Sequence, residues 1–317
     1  IWTGSQWEHL GLSQKSPDLG VLTDNRPQKG GAQKYLYHPF GDAGVWMLDN
    51  MRYVDESMEY KVGAIARKDD GLTKKYYCHP HRDIGENPTK ENPPVYWDSI
   101  HGYLYNYEAA TLGGNPRDGG SSGQGYGGDK EYENGNPIRV QGICPDGWHI
   151  PTDREWSELE KEIYENPSKY SSYTGAFDPP KWNNDWNVGN DETRRGTANG
   201  DLRIAFSTSC EVIEDNSGKK HPGRSHPVIQ GGFNVLPVGY IAIEETGGYF
   251  GDEEEIKIRD YGEASTFWTV SKSYEDEDYV CAWARTIYTS DPEPEFDVKR
   301  DPSDRFNQYS VRCKKDD

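Results

Sequence analysis

The chain has 317 residues and a formal net charge of −19, with 33% hydrophobic residues; aromatic residues make up 13% of the chain. No apolar run approaches the roughly 20 residues that span a bilayer, so we expect no membrane-spanning segment. The acidity disfavours a nucleic-acid partner, which selects a basic surface. Because 10 Trp, 22 Tyr and 8 Phe can bury much surface, the composition predicts a globular protein with an aromatic core and, from its 35 Gly and 20 Pro, long loops.

The first part of the chain carries little periodicity and several turn signals. We expect residues 1–34 to form an N-terminal extension or linker, and residues 35–317 to form a single domain. A loose alternation over residues 35–53 predicts a pair of strands. The sequence begins at Ile1 without a hydrophobic signal segment, so we expect a targeting peptide to have been removed.

One helix has clear start and stop signals. Thr152 is followed three residues later by Glu155, which forms a capping box in which each side chain accepts from a backbone N–H. The apolar residues that follow fall on one helical face: Trp156, Leu159, Ile163 and Tyr164. The pattern predicts a helix over 153–165, which Asn166-Pro167 ends.

The remainder of the chain predicts short strands separated by loops. Residues 103–107 are an aromatic strand or turn, and residues 113–135 are a long loop rich in Gly, Ser, Asn and Asp. The later segments with strand character are 233–236, 267–271, 280–288, 296–300 and 309–313. In the last of these, alternation places Tyr309, Val311 and Cys313 on one face.

Several motifs stand in one order along the chain. They are a cysteine, a turn, an aromatic residue and a capped helix at 142–156, Gly-Phe-Asn-Val-Leu-Pro-Val-Gly at 232–239, Phe-Trp-Thr at 267–269 and Tyr-Ser-Val-Arg-Cys at 309–313, with related segments at 44–53 and 102–110. Together they resemble the Fibrobacter succinogenes major paralogous domain family, a branch of the C-type lectin-like folds. The resemblance covers about residues 40–313, with insertions at about 54–100, 111–137 and 168–230.

The resemblance implies a fold, a compartment and one disulfide. The fold is α+β and C-type lectin-like, with short antiparallel strands, few helices and long irregular loops. The expected location is the exterior of a Bacteroidetes-type bacterium, and some family members are domains of fimbria-like surface proteins. Corresponding cysteines pair in such folds, which implies a Cys144–Cys313 bridge; two buried thiols are the alternative. Cys210 and Cys281 could form a second bridge, in which case Cys78 would be the unpaired cysteine. The alternative is that both remain thiols.

Metal binding has weak support in the sequence. The run Cys78-His79-Pro80-His81 contains metal-ligand types, but adjacent ligands without a second cluster favour a solvated loop. The acidic runs favour solvated loop charge, with a structural calcium ion as the alternative. Its candidate ligands are Asp276, Asp278 and Glu293. We expect no other cofactor.

The favoured function is a non-catalytic extracellular binding or adhesion module with a glycan or a surface protein as ligand. One alternative is a structural or assembly subunit that contacts pilus or fimbria subunits. Another is an enzyme of unrecognised type, because formylglycine-generating enzymes share the broad fold, but their paired catalytic cysteines are missing here. No hydrolase, metalloprotease or phosphate-binding motif occurs. Candidate ligand contacts, for each of which a core position is favoured over ligand binding, are Trp182, Trp186, Tyr274, Trp283, Arg285 and Tyr288.

Overall fold

The computed structural model describes residues 15–28, 30–63, 74–86, 88–113, 132–133, 136–137, 139–175, 177, 181–183, 193–195, 201–210, 212–245, 254–275, 280–289 and 298–317. Strands dominate these residues. In chain order they are β1 (Gly20–Asp24), β2 (Gln33–Pro39), β3 (Val45–Met47), β4 (Met58–Tyr60), β5 (Lys75–Cys78), β6 (Leu104–Tyr105), β7 (Tyr132–Glu133), β8 (Asn136–Pro137), β9 (Trp148–His149), β10 (Thr193–Arg195), β11 (Val238–Glu245), β12 (Glu254–Tyr261), β13 (Ala264–Glu275), β14 (Val280–Tyr288), β15 (Val298–Asp304) and β16 (Lys314–Lys315).

The described α-helices are few and mostly short: α1 (Tyr107–Thr111), α2 (Asp153–Glu165), α3 (Pro167–Tyr170) and α4 (Asp201–Phe206). None of the helices in the described residues is both long and apolar enough to cross a membrane. The chain is thus mostly β-sheet with a few helices, which is compatible with the expected α+β class.

The strands form four sheets. A five-stranded sheet has the order β1-β2-β3-β16-β9, and a six-stranded sheet has the order β10-β15-β14-β13-β11-β12. A three-stranded sheet, β4-β5-β6, and the β7-β8 hairpin complete the set. The strand β1 pairs antiparallel with β2 from Gly20↔Tyr37 to Asp24↔Gln33. This hairpin therefore spans the boundary that we expected between residues 34 and 35.

The predicted helix is confirmed. The helix α2 runs from Asp153 to Glu165, and both halves of its capping box are present: the Thr152 side chain accepts from Glu155 N, and the Glu155 carboxylate accepts from Thr152 N at 2.9 Å. The four apolar side chains expected on one face are all buried. The pair Asn166-Pro167 ends α2 but also starts α3, because proline is accommodated at the first helical position.

The strand predictions succeed in part. The segment 280–288 is β14, residues 267–271 lie within β13, and β15 begins at Val298. The predicted strand at 233–236 is wrong, because Asn234 adopts a left-handed backbone with φ 55°, which extended pairing does not accommodate. The carbonyls of Phe233 and Asn234 instead accept hydrogen bonds from the guanidinium of Arg312.

The segment 308–315 connects the sheets. Gln308 exchanges two backbone hydrogen bonds with Ile241 of β11, and Tyr309 exchanges two with Tyr105 of β6. Ser310 forms a bridge to Phe267 of β13, and β16 lies between β3 and β9. The segment is therefore extended, as predicted, but it pairs with several sheets instead of forming one strand.

The disulfide implied by the resemblance is present. Cys144, which precedes β9, is bonded to Cys313, which precedes β16, and both are fully buried. Tyr309, Val311 and Cys313 share one hydrophobic cluster, as their alternation predicts. The alternative second bridge between Cys210 and Cys281 is not formed, since Cys210 is exposed and Cys281 is buried.

Candidate functional site

Two of the predicted ligand contacts, Trp283 and Arg285, lie in the interior. Trp283 is 2% exposed and Arg285 is 0% exposed. Both side chains lie on the face of β14 that packs against α2. Ala282 and Ala284 lie on the other face and belong to the hydrophobic cluster around the disulfide. Both faces of this strand are covered, so neither side chain reaches a ligand surface.

Arg285 belongs to a buried charge cluster. Its Nε donates to Glu160 Oε1 at 2.6 Å, and its Nη1 lies 2.5 Å from Asp153 Oδ1. Arg300 donates to the same Asp153 carboxylate at 3.0 Å and stacks over the Trp283 ring at 3.3 Å. The two carboxylates and two guanidiniums are fully buried, so their role is to fix α2 against β14 and β15.

The other predicted contacts are scattered. Trp182 is buried against Tyr164, with ring centroids 5.7 Å apart, whereas Tyr288 is partly exposed at the end of β14. Of Tyr274 the structure describes only the strand. The remaining candidates, including the calcium ligands, lie outside the described residues: Trp186, Asp276, Asp278 and Glu293. Within the described ranges no group of three or more His, Cys, Asp or Glu is arranged to hold a metal ion.

A different group of residues forms an aromatic surface around the three-stranded sheet. In this sheet β4 runs parallel to β5 from Met58↔Lys75 to Tyr60↔Tyr77, and β5 pairs antiparallel with β6. The pairing brings the ends of the strands together with the loop before β6. We call the resulting set of side chains the aromatic platform: Tyr60, His79, Trp97 and Tyr103.

Trp97 is the outer member of the platform. Its ring stacks on Tyr103 at 5.6 Å with an interplanar angle of 10°, and it meets His79 at 4.7 Å. The His79 and Tyr103 rings are themselves 5.1 Å apart. The three rings therefore pack against one another as one cluster. Trp97 is partly exposed, and Tyr103 and His79 are the rings of the described residues that contact it.

Hydrogen bonds fix the position of Trp97. Its backbone N donates to Pro94 O at 2.9 Å in a turn, and its indole Nε1 donates to Gly102 O at 3.0 Å. The next residue, Asp98, caps a short 3-10 helix (Ser99–His101) by accepting from Ile100 N, and the His101 ring accepts from Asp98 N. The indole is therefore held in one orientation before a ligand arrives, which lowers the entropic cost of binding.

The histidines of this region are uncharged at neutral pH. Desolvation by burial lowers the pKa of His79 to about 4, and the neighbouring His81 lowers it further in the same direction. Desolvation also lowers the pKa of His101 to about 4, although the charge of Asp98 opposes the shift. His79 Nδ1 lies 3.0 Å from the Tyr60 hydroxyl. The same hydroxyl oxygen accepts a hydrogen bond from the backbone N–H of His79 at 3.5 Å. The platform thus presents aromatic faces and neutral polar edges.

A cavity elsewhere in the structure is less suited than the aromatic platform to bind a ligand by ring stacking. An open cavity of about 600 Å³ is lined by Pro27, Gln28, Asp55, Glu56 and Ser57. One oxygen of Asp55 already accepts from Ser57 N at 2.7 Å and from Ser57 Oγ at 2.6 Å. The lining offers carboxylates and an amide but no ring face, so the aromatic platform is the stronger candidate site.

The aromatic platform was not predicted from the sequence. The solvated loop expected at 78–81 is wrong, because His79 and His81 are buried, with 2% and 1% of their surfaces exposed. The run Pro93-Pro94-Val95-Tyr96-Trp97 is the signal that could have found the site, because prolines fix a loop and two aromatic residues follow. Val95 is fully exposed at the tip of this loop.

Comparisons with known proteins give one finding. The chain has no significant match among curated proteins or among solved structures. A family model described as the Fibrobacter succinogenes major domain matches residues 42–315, which is most of the chain. The chain therefore belongs to the Fibrobacter succinogenes major domain family.

Proposed function

We propose that the protein is a non-catalytic extracellular binding module of a bacterial surface protein, with a glycan bound on the aromatic platform. The observation that carries this proposal is the partly exposed indole of Trp97, which stacks on Tyr103 and is fixed by its hydrogen bond to Gly102 O. A flat indole face stacks on the C–H face of a pyranose ring and removes apolar area of both from water. Neighbouring polar edges then orient the sugar hydroxyls.

The disulfide supports the extracellular part of the proposal. Bridges such as Cys144–Cys313 form and persist in oxidising compartments outside the cytosol. The same bridge supports a C-type lectin-like fold, in which corresponding cysteines join the region before the helix to the end of the last strand. Family membership is consistent with both statements.

The test is a glycan-array screen of the purified protein, followed by titration of the best ligand against variants. Trp97→Ala is expected to weaken binding about 30-fold, since truncating a central Trp of an interface typically costs about 2 kcal/mol. Val95→Ala, in the same loop, is the matched control and should bind normally. Tyr288→Ala tests the strand end that the sequence favoured. Ligand binding that is unchanged by Trp97→Ala would refute the platform as the site.

A second candidate, a structural or assembly subunit, is favoured by the edge strand β1. It pairs with β2 on one side, and no strand of the described residues pairs with its other side. Val21 on this strand is 52% exposed. An open edge of this kind accepts an added strand from a partner. A flat glycan array together with co-purification of a pilin or anchor subunit would place this candidate first.

A further inference from the structure

A strip of basic residues lies on the surface of this acidic protein. Residues 216–243 contain neither Asp nor Glu, although the chain has 54 acidic residues and a formal charge of −19. We call the basic residues at the start of this stretch the basic strip: Lys219, Lys220, His221, Arg224 and His226. Its lysines and its arginine are exposed, and its histidines are partly exposed. The strip is therefore a local concentration of positive charge.

Hydrogen bonds hold the backbone of the strip in place. Lys219 N donates to Asp215 Oδ1 at 2.8 Å, and Asp215 N donates back to Lys219 O at 2.9 Å. Arg224 N donates to Ile204 O at 2.7 Å, and its carbonyl accepts from Ser172 N at 2.8 Å. Because Lys219 and Arg224 are five residues apart, their Cα atoms are separated by at most about 18 Å. The two cations therefore start from fixed backbone positions on one short stretch of surface.

The two carboxylates in the turn that precedes the strip are already paired. Glu214 Oε1 lies 3.6 Å from Lys220 Nζ, and the two residues also form a backbone bridge. Asp215 is buried, and its Oδ2 lies 2.9 Å from His221 Nε2. Both negative charges therefore have a partner within the turn and its neighbour.

Lys219 and Arg224 are the cations of the strip that stay unpaired. Their side chains form no hydrogen bond and no ion pair with any of the described residues. Both side chains are exposed, so their charges face solvent. The helix α3, whose last residue accepts a backbone hydrogen bond from His226, supplies another exposed cation, Lys169, with its partner Glu162 at 3.5 Å. An anionic ligand can therefore pair with two cations without displacing a carboxylate of the protein from them.

We propose that the basic strip binds an acidic polysaccharide, whose carboxylate or sulphate groups pair with Lys219 and Arg224. This site is separate from the aromatic platform and does not depend on it. A narrow polyanion suits the strip, because a single chain can follow it and stay clear of the acidic surface around it. A lipid bilayer with anionic headgroups would face much of the charge of −19 at once and be repelled. The large hydrophobic side chains that are exposed among the described residues, Val21 and Val95, are not on the strip to anchor it in a bilayer.

The experiment measures binding of the purified chain to heparin, which is sulphated, and to polygalacturonate, which is carboxylated, at 20 and 300 mM salt, with neutral galactan as the reference. The wild-type chain is expected to bind at least one acidic polymer more tightly than galactan, with an affinity that falls as salt rises because counterions are released. Lys219→Ala/Arg224→Ala should weaken this binding about tenfold at 20 mM salt, as expected for two exposed ion pairs. Its melting temperature should stay that of the wild type, because neither side chain contacts a partner among the described residues.

Lys15→Ala/Lys34→Ala is the matched control. Both lysines are exposed and lie outside the strip, so this variant changes the net charge by the same amount. It should bind the acidic polymers as the wild type does.

The outcomes separate the strip from the platform. Trp97→Ala should leave binding of the acidic polymers unchanged, and loss of that binding in Trp97→Ala would assign it to the platform and overturn the strip as the site. Equal losses in the two double variants would show a response to net charge alone and also overturn it. The same holds if the wild-type chain binds neither acidic polymer, or binds vesicles that contain phosphatidylglycerol in their place.

Discussion

Removal of the Cys144–Cys313 bridge should cost a large share of the stability of this fold. The bridge closes a loop with a sequence separation of 169 residues. In the chain-entropy model such a cross-link lowers the entropy of the unfolded chain by about 17 cal/mol/K, or about 5 kcal/mol at 25 °C. Total stabilities of folded proteins are roughly 5–15 kcal/mol, so the loss is substantial. The perturbation is the double variant Cys144→Ala/Cys313→Ala, which leaves no unpaired thiol at the site.

The assay is urea denaturation followed by tryptophan fluorescence. The double variant is expected to unfold with a free energy about 5 kcal/mol lower and with an m-value at least as large as that of the wild type, because its unfolded state is less compact. With an unfolding entropy of about 2.1 cal/mol/K per residue, the 317-residue chain should melt about 8 °C lower. Cys210→Ser, which alters an exposed thiol, is the control and should melt normally. A loss below about 1 kcal/mol in the double variant would refute the reasoning.

Two further predictions concern buried ionisable groups. Arg285→Met should destabilise the protein by about 3–5 kcal/mol in the same urea assay, because Asp153 and Glu160 lose a buried cation; a loss below 1 kcal/mol would contradict this. His79 and His101 have a pKa of about 4 in the folded chain and about 6.5 when unfolded, so the unfolded state binds more protons between these values. Their contribution to stability is full above pH 6.5 and is lost as the pH falls towards 4, by roughly 3 kcal/mol per histidine at most. His79→Phe should make that decline shallower, and a pH profile identical to that of the wild type would count against the assignment.

Patterns within short stretches of the sequence predicted the helix and the strand whose formation depends on residues close together in the chain. The Thr152–Glu155 capping box and the apolar face of α2 depend on residues within a few turns of each other, and both are confirmed. The strand β14 is also confirmed at its predicted bounds. The error at 233–236 has a non-local cause, because Arg312, which lies 78 residues further along the chain, binds the Asn234 carbonyl, where the backbone turns left-handed.

The site could not be predicted for a related reason. The family resemblance suggested that the face of β14 with Trp283 and Arg285 is a ligand surface, although the aromatic composition favoured core positions for both residues. Here α2 covers that side, which no pattern within the strand reveals. The aromatic platform draws residues from positions 60, 79, 97 and 103; Tyr60 joins it through the parallel pairing of β4 with β5, and Tyr103 through the antiparallel pairing of β5 with β6. A parallel pair carries no turn signature in the sequence.

The connecting role of residues 308–315 bears on when this protein can fold during its synthesis. Three sheets receive backbone bonds from this segment, and β16 fills the gap between β3 and β9. Until residue 315 has emerged, β3 and β9 have no partner to join them and the Cys144 thiol has none to oxidise with. A chain that ends before residue 308 therefore lacks both the disulfide and the backbone bonds that join the three sheets. The complete fold is therefore expected only once these last residues are available, and a chain cut short before residue 308 should be more sensitive to proteolysis than the full chain.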